Sequence, residues 1–441
     1  MSDDKVKALE VKRSSRLTGF YQQSPERRRA RLVESRWLAP EDARACEGLG
    51  GFDEACADVM VENVIGLHGL PLGVALNFVV NGRDRLVPMA VEEPSIIAAA
   101  SYAARLCAEG GGFTVQADAP ITTAQVQLLE VPSLEAAREA LRAGTPELLA
   151  AANALMPAMC ARGGGARELE VRVLDATTLV VHLHVDTRDS MGANLVNSVA
   201  EDLAPRLVAL TGGRAGLKIL TNLADRRKVR VRARVPASAL ASERFQDGAV
   251  VRDAILEAQR FAELDVYRAV THNKGVMNGV DAVLVACGND WRAVEAGAHA
   301  YAARHGGYRP LTSWWKGPEG ELCGELELPL ATSTVGGAAR THPGVQRALK
   351  LAGTSGAVDL AGLAAAAGLA TNLAALKALS TDGIQKGHMA LHARRVAAEA
   401  GASGELVGII ADRLSRERVY RPERAREILE AEVARRQGGR R

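Results

Sequence analysis

Residues 168–186 read ELEVRVLDATTLVVHLHVD, and this stretch decides the fold. Its two runs rich in β-branched residues, ELEVRVLD (168–175) and TLVVHLHVD (178–186), read as consecutive strands. Working outward, QVQLLEV (125–131) predicts a strand and SLEAAREALRAGTPELLAAANAL (133–155) one or two helices. On the other side, SMGANLVNSVAEDLAPRLVALTG (190–212) predicts a helix and GLKILTN (216–222) a last strand. The order βαββαβ is that of a ferredoxin-like sheet with helices on one face. RNA-recognition modules share it, but they stack bases on strand aromatics, and ELEVRVLD and GLKILTN have none. A nucleic-acid-binding module is disfavoured on that ground. No GxGxxG follows any strand, so a Rossmann phosphate loop is not expected.

The chain has 441 residues, enough for two or three domains and a large core. Lys plus Arg number 55 against 52 for Asp plus Glu, so bulk charge gives no reason to expect a polyanionic partner. The N-terminus, MSDDKVKALEVKRSSRL, has early acids and no apolar core, and no secretory signal is expected. The least polar stretch, Leu360 to Leu376, falls short of the roughly 20 apolar residues a membrane span needs. A buried helix pair is the expectation there. Six scattered cysteines without a CxxC pair suit reduced thiols in a cytoplasmic protein.

Ser24-Pro25-Glu26 predicts a capped helix start. Asn81-Gly82, between VALNFVV and RLVPMAV, predicts a hairpin. Glu92-Glu93-Pro94-Ser95 leads into an apolar helix, IIAAASYAARLCA; two acids there ordinarily complement the helix dipole. Further on, THNKGVMNGVDAVLVACGND (271–290) holds one lysine, Lys274, ahead of an almost charge-free segment. A lone lysine beside glycines is ordinarily a solvated loop residue, but Asn273, Asn278 and Asp290 are poor choices for a merely apolar core helix. Val280, Val283, Leu284 and Cys287 fit one helical face, and a buried strand fits the same run. His388 and His392 are four apart, but Met389 stands where HExxH needs its glutamate, and no metal is expected.

Several of these segments together resemble 3-hydroxy-3-methylglutaryl-CoA reductase in its bacterial, class II form. THNKGVMNGVDAVLVACGND is similar to that family's lysine-to-aspartate segment, and ENVIG followed by MAVEEPS to its N-terminal signature. Asp189-Ser190-Met191-Gly192-Ala193-Asn194 resembles its DxMGxN dinucleotide motif, KILTNLADRR a segment lining its active site, and GIQKGHMALHAR its C-terminal flap. The resemblance spans essentially the whole chain.

It implies an α+β fold: a large, mostly helical domain (1–116 and 224–379), an inserted ferredoxin-like nucleotide-binding domain (117–223) and a helical flap (380–441). The implied reaction interconverts HMG-CoA with mevalonate and CoA, a step of isoprenoid metabolism, through two hydride transfers. Glu93, Lys274, Asp290 and His388 take the places of catalytic residues. Asp189, Met191, Gly192, Asn194 and Asn222 take those of cofactor contacts. Ser95, Arg268, Thr271, Asn278 and Arg16 fall on the substrate side. NAD is the implied cofactor, with NADP admitted, because Met156 replaces the aspartate that NAD-using relatives aim at the adenosine ribose. The implied partners are HMG-CoA, mevalonate and CoA, in a homodimer or higher even oligomer with shared sites, without nucleic acid or membrane.

Hydride attack on a thioester leaves negative charge on the carbonyl oxygen, and a cation there lowers the barrier. Lys274 is the candidate, a buried ammonium steered by Glu93 and Asp290. Glu93 needs a desolvated setting to act as an acid, and His388 suits protonation of the departing CoA thiolate. An unbroken helix from 274 to 290 would hold its ends roughly 24 Å apart. Either the helix breaks at its glycines or two subunits complete the site. The competing enzyme class, a cysteine-dependent CoA acyl transferase or hydrolase, lacks a cysteine in an activated setting.

Overall fold

The computed structural model describes residues 13–381 and 384–438, with the side chains of 384–391 and 437–438 outside the described residues. Among these residues there are ten strands: β1 (Leu72–Val80), β2 (Arg83–Ala90), β3 (Phe113–Ala117), β4 (Ile121–Leu129), β5 (Gly165–Val173), β6 (Leu179–Asp186), β7 (Arg214–Leu220), β8 (Lys228–Val235), β9 (Thr312–Lys316) and β10 (Leu322–Pro329). They form two sheets, ordered β2-β1-β3-β8-β10-β9 and β5-β6-β4-β7. The chain leaves the first sheet after Ala117 and re-enters it at Lys228. The fold is α+β, as expected.

The four-stranded sheet is antiparallel throughout, in the ferredoxin-like order. Side chains alternate along β6. Leu179, Val181, Leu183 and Val185 meet Val196, Val199, Leu203 and Leu207 of the helix Ala193–Thr211 in one core. The opposite face of the strand carries Val180, His182, His184 and Asp186, all buried.

In the six-stranded sheet, Val80 pairs with Arg83 across Asn81-Gly82, whose φ angles of 48° and 74° are those of a type I′ hairpin. Ser24 accepts the Arg27 N–H (3.2 Å) and Pro25 follows at the first helical position, as the sequence predicts.

Two long helices run through the main core. Val266–Ala286 carries Lys274; it is unbroken, and Val280, Val283 and Leu284 lie buried on it. The run after Val280 is therefore helix rather than strand. The second, Ala357–Ser380, corrects the expected helix pair: it is one continuous helix. It is long and apolar enough to cross a membrane by length and composition, but 89% of its most apolar window is buried inside the fold.

Glycine explains both results. A Cβ on Gly279 would stand 2.4 Å from the Ala367 carbonyl oxygen, and one on Gly368 would stand 2.7 Å from Val280 Cγ2. These glycines let the two helices approach closely instead of breaking them. The two buried asparagines of the pair are hydrogen-bonded. Asn372 Oδ1 accepts from Trp314 Nε1 (2.9 Å) and Thr312 Oγ1 (3.1 Å), and its amide lies 3.1 Å from His272 Nε2. Asn273, also buried, donates to the Arg309 carbonyl (2.9 Å) and accepts the Leu311 N–H (2.8 Å).

Candidate active site

The catalytic candidates fall into two half-sites. In the first, Lys274 Nζ donates to Glu93 Oε2 at 2.6 Å, across 181 residues of sequence. Glu93 is set by the tight turn into the helix Ile96–Glu109. Ser95, at the N-cap of that helix, has a left-handed backbone (φ 77°), uncommon for a non-glycine residue and a mark of functional strain. Its hydroxyl makes no capping bond and is buried without a partner among the described residues. Thr271, Lys274 and Asn278, three and four residues apart, share a side of their helix. Arg268 is half-buried one turn earlier; burial pushes its guanidinium below the ordinary range, and among the described residues it makes no ion pair.

A buried ammonium between two acids is not assembled within one chain. The Lys274 side chain is 57% exposed and that of Glu93 34% exposed, and among the described residues Glu93 is the one acid the ammonium pairs with. Asp290 lies beyond the far end of the same helix. From Lys274 to Ala286 the unbroken helix rises about 18 Å, and a left-handed turn at Gly288 follows. Asp290 then caps the next helix, accepting the Ala293 N–H at 3.1 Å, and pairs with Arg292 at 3.3 Å. Gly275 and Gly279 do not break the helix, and the turn at Gly288 comes only after it has ended.

The second half-site surrounds Asp290. A cleft of about 320 Å³ is lined by Met191, Gly192 and Asn194 on one side and by Asn289, Asp290 and Gly337 on the other. Gly192 is the N-cap of the helix Ala193–Thr211; its φ is 80°, and a Cβ would stand 2.4 Å from Thr187 Cγ2. No side chain caps this helix, so its first N–H groups remain open to an anion.

Asp189 does not line the cleft. Its carboxylate accepts the Ala357 N–H (2.8 Å) at the start of the long apolar helix, and its carbonyl accepts the Thr334 N–H (3.0 Å). Asn222 lines a small adjoining pocket that shares Met191 and Ala331 with the cleft.

Sequence reasoning missed two contributors. Ser333, Gly336 and Gly337 line the cleft, although STVGG reads as a mere glycine turn. Arg227, buried, donates to Thr187 Oγ1 (3.3 Å), Ser190 O (3.2 Å) and Thr332 O (2.5 Å), fixing the loop. Its presence in the family-like KILTNLADRR was the available signal.

Met156 is 2% exposed and packs in the core of the four-stranded sheet, so no charge faces solvent there. Nearby, Arg167 and Arg188 both donate to the Gly163 carbonyl, at 2.5 and 2.6 Å. Arg16 is exposed, beside a Ser15 that bonds Asp84 at 2.6 Å. The side chain of His388 lies outside the described residues. His392 stacks loosely on Tyr420, ring centroids 6.2 Å apart.

Comparison with known proteins gives the class first. Residues 24–393 match the family model described as Hydroxymethylglutaryl-coenzyme A reductase, and the chain belongs to that family of oxidoreductases. Its likeness is to the class II form. The 3-hydroxy-3-methylglutaryl-coenzyme A reductase of Archaeoglobus fulgidus is 43% identical over 420 residues, covering 95% of this chain and 94% of the relative. The reductase structure from Streptococcus pneumoniae superimposes with a TM-score of 0.80 at 40% identity, covering 94% of this chain and 99% of that one. A class II structure from the same organism, bound to NADPH in open conformations, matches with the same TM-score and identity over 82% of this chain and 99% of that one.

Proposed function

We propose that the chain catalyses the interconversion of HMG-CoA and mevalonate. HMG-CoA, two reduced nicotinamide nucleotides and two protons give mevalonate, free CoA and two oxidised nucleotides. The observation that carries this reading is the 2.6 Å contact between Lys274 and Glu93 beside the unpartnered Ser95 hydroxyl. The ammonium neutralises the oxygen that turns negative when the thioester, and later the aldehyde, is reduced. Glu93 orients that ammonium and relays a proton. Arg268, Thr271 and Asn278 line the approach of the substrate, with the guanidinium suited to a free carboxylate. His388, carried on the helix Ile384–Glu399, protonates the departing thiolate.

The bound nucleotide supplies hydride. The residues present fit such a group: the uncapped helix start at Gly192 favours a diphosphate, and Met191 and Asn194 line the same cleft. NADH and NADPH are both admitted, because Met156 sets no carboxylate against a 2′-phosphate. A side-by-side comparison of rates tests this: a hundredfold preference for NADH would exclude the mixed reading.

The two half-sites are completed by a second copy of the chain, which brings Asp290 and its cleft to Lys274. Exposed apolar side chains flank the lysine face, including Phe261, Leu264 and Tyr267, and Ile65 stands fully exposed upstream of Glu93. Mixing Lys274→Ala with Asp290→Ala protein tests the sharing. Each hybrid dimer regains one intact site, so random exchange restores roughly a quarter of wild-type activity. No recovery after demonstrated subunit exchange rejects sharing. Oxidation of reduced nicotinamide on addition of HMG-CoA separates the reductase from an acyl transferase, which releases thiol without it.

A further inference from the structure

We propose a second, non-catalytic site: a zinc-binding centre formed by Glu170, His182 and His184 on the face of the four-stranded sheet opposite its helices. One possible ligand atom from each residue lies within 4.8 Å of those from the other two. His184 Nε2 and Glu170 Oε2 are already 3.3 Å apart. Two ligands bound at about 2.0–2.1 Å in a tetrahedron take roughly that spacing. His182 completes the set once its ligand atom, within 4.8 Å of the other two, closes on the metal. Two histidines and one carboxylate make a set that zinc uses with its fourth position left to water.

The surroundings suit a metal. The three residues sit on paired strands, Glu170 directly opposite His182, so their backbones are rigidly placed. Thr123 Oγ1 lies 2.8 Å from His184 Nδ1. With a cation bound, the imidazole proton moves to Nδ1, where the threonine oxygen accepts it and leaves the Nε2 lone pair for the metal. Gln125 Nε2 lies 2.9 Å from His182 Nε2, a contact that His182 gives up if that nitrogen takes the metal.

A resident cation already occupies the acid: Arg226 donates to Glu170 Oε2 (3.2 Å) and to Glu168 Oε2 (3.4 Å). Zinc would displace this guanidinium. Burial first, then the Arg172 charge, push His182 down and keep it neutral. Burial raises Glu170, but hydrogen bonds from His184 and Arg226 outweigh it and hold the carboxyl below its ordinary value.

Arg226 adjoins Arg227, which fixes the Thr187–Ser190 loop, so zinc uptake is expected to alter the nucleotide cleft as well. That consequence rests on the proposed role of the cleft; metal binding itself does not. The sequence expectation of no metal rested on the scattered cysteines and on the HxxxH spacing of the C-terminal helix. His182-x-His184 on a strand, with Glu170 across the ladder, was the signal available.

The test is a titration of the full, chelator-treated chain with Co²⁺, followed by competition with Zn²⁺. One equivalent per chain is expected, with visible ligand-field bands that Zn²⁺ abolishes. His184→Asn and Glu170→Gln should each weaken binding by about 10-fold or more, while Arg226→Ala should tighten it. Absence of saturable Co²⁺ uptake by the wild-type chain overturns the proposal. So does Co²⁺ affinity left unchanged by Glu170→Gln, a change at a partly exposed carboxylate that keeps the fold, or uptake lost only on His392→Ala.

Discussion

The two ends of the Lys274 helix handle charge in opposite ways. At one end two charged side chains from distant parts of the chain meet at 2.6 Å on an open surface. At the other, Asp290 belongs to a cleft made largely of backbone, glycines and a helix start. The first end has a cation and no enclosure, and the second has an enclosure and no lysine. Between them runs a straight rod whose glycines serve close packing, so folding alone does not bring the ends together. The difference teaches that a continuous helix holds Lys274 and Asp290 apart within one chain, which is what the proposed second copy answers.

The sharpest way to break the comparison is to remove charge at each end. Lys274→Met should lower kcat by about 10²–10³-fold, the cost of losing one oxyanion-stabilising group. Its thermal midpoint should barely move, because an exposed ion pair contributes about 0–1 kcal/mol. Asp290→Ala should lose activity on the same scale, yet also cost about 1 kcal/mol of stability through the lost helix cap. Steady-state kinetics and urea unfolding on both variants check this. Equal stability effects would remove the distinction between a free charge and a structural one.

A smaller effect is expected in the rod itself. Gly279→Ala presses a methyl against the Ala367 carbonyl, whose oxygen lies 2.4 Å from the position the new Cβ would take, and should destabilise by about 1–3 kcal/mol. Gly275→Ala, one turn earlier and next to the catalytic candidate, meets only Ala375 Cβ at 3.9 Å. That change should be tolerated, or stabilise by about 0.5–1 kcal/mol through helix propensity. If Gly275→Ala abolished activity while leaving the fold intact, flexibility at that glycine would matter after all.

These glycines also mark what the sequence could and could not say. The period-2 runs of 168–186 and the Asn81-Gly82 turn were legible because strand and turn chemistry is local. The Glu93–Lys274 contact was legible only through the family resemblance, since nothing local joins residues 181 positions apart. Gly275, Gly279 and Gly368 look like breaks in one dimension, and only the partner helix reveals them as contacts. The structural bond of Asp189 was hidden for a similar reason: its partner, the Ala357 N–H, is 168 residues away. The β9–β10 hairpin went unassigned, although Gly317-Pro318-Glu319-Gly320 carries turn residues between its strands.

A pH-dependent effect probes the packing of the rod against the helix that Asp290 caps. Asp281 projects from the Lys274 helix toward Glu295 of the next one. Burial first, and then the Glu295 carboxyl, push it up to about 9, and one of its oxygens is buried without a partner among the described residues. Glu295 in turn meets His299 at 2.5 Å, and His299 Nδ1 lies 2.7 Å from the Tyr308 hydroxyl. The folded chain keeps a proton that the unfolded chain, titrating near 3.8, has lost. Stability should therefore fall as pH rises toward 9, by at most about 1.4 kcal/mol per pH unit. Buried His272 has the opposite sign. Burial lowers it to about 3, so it costs stability only as pH falls below its ordinary 6.5. Urea unfolding between pH 7 and 8 thus isolates the aspartate, below the range in which the buried thiols of Cys107 and Cys287, pushed up from 9.0 to about 12, add a loss of the same sign. Asp281→Asn should flatten the decline; the same slope in both proteins would show that the proton is held elsewhere.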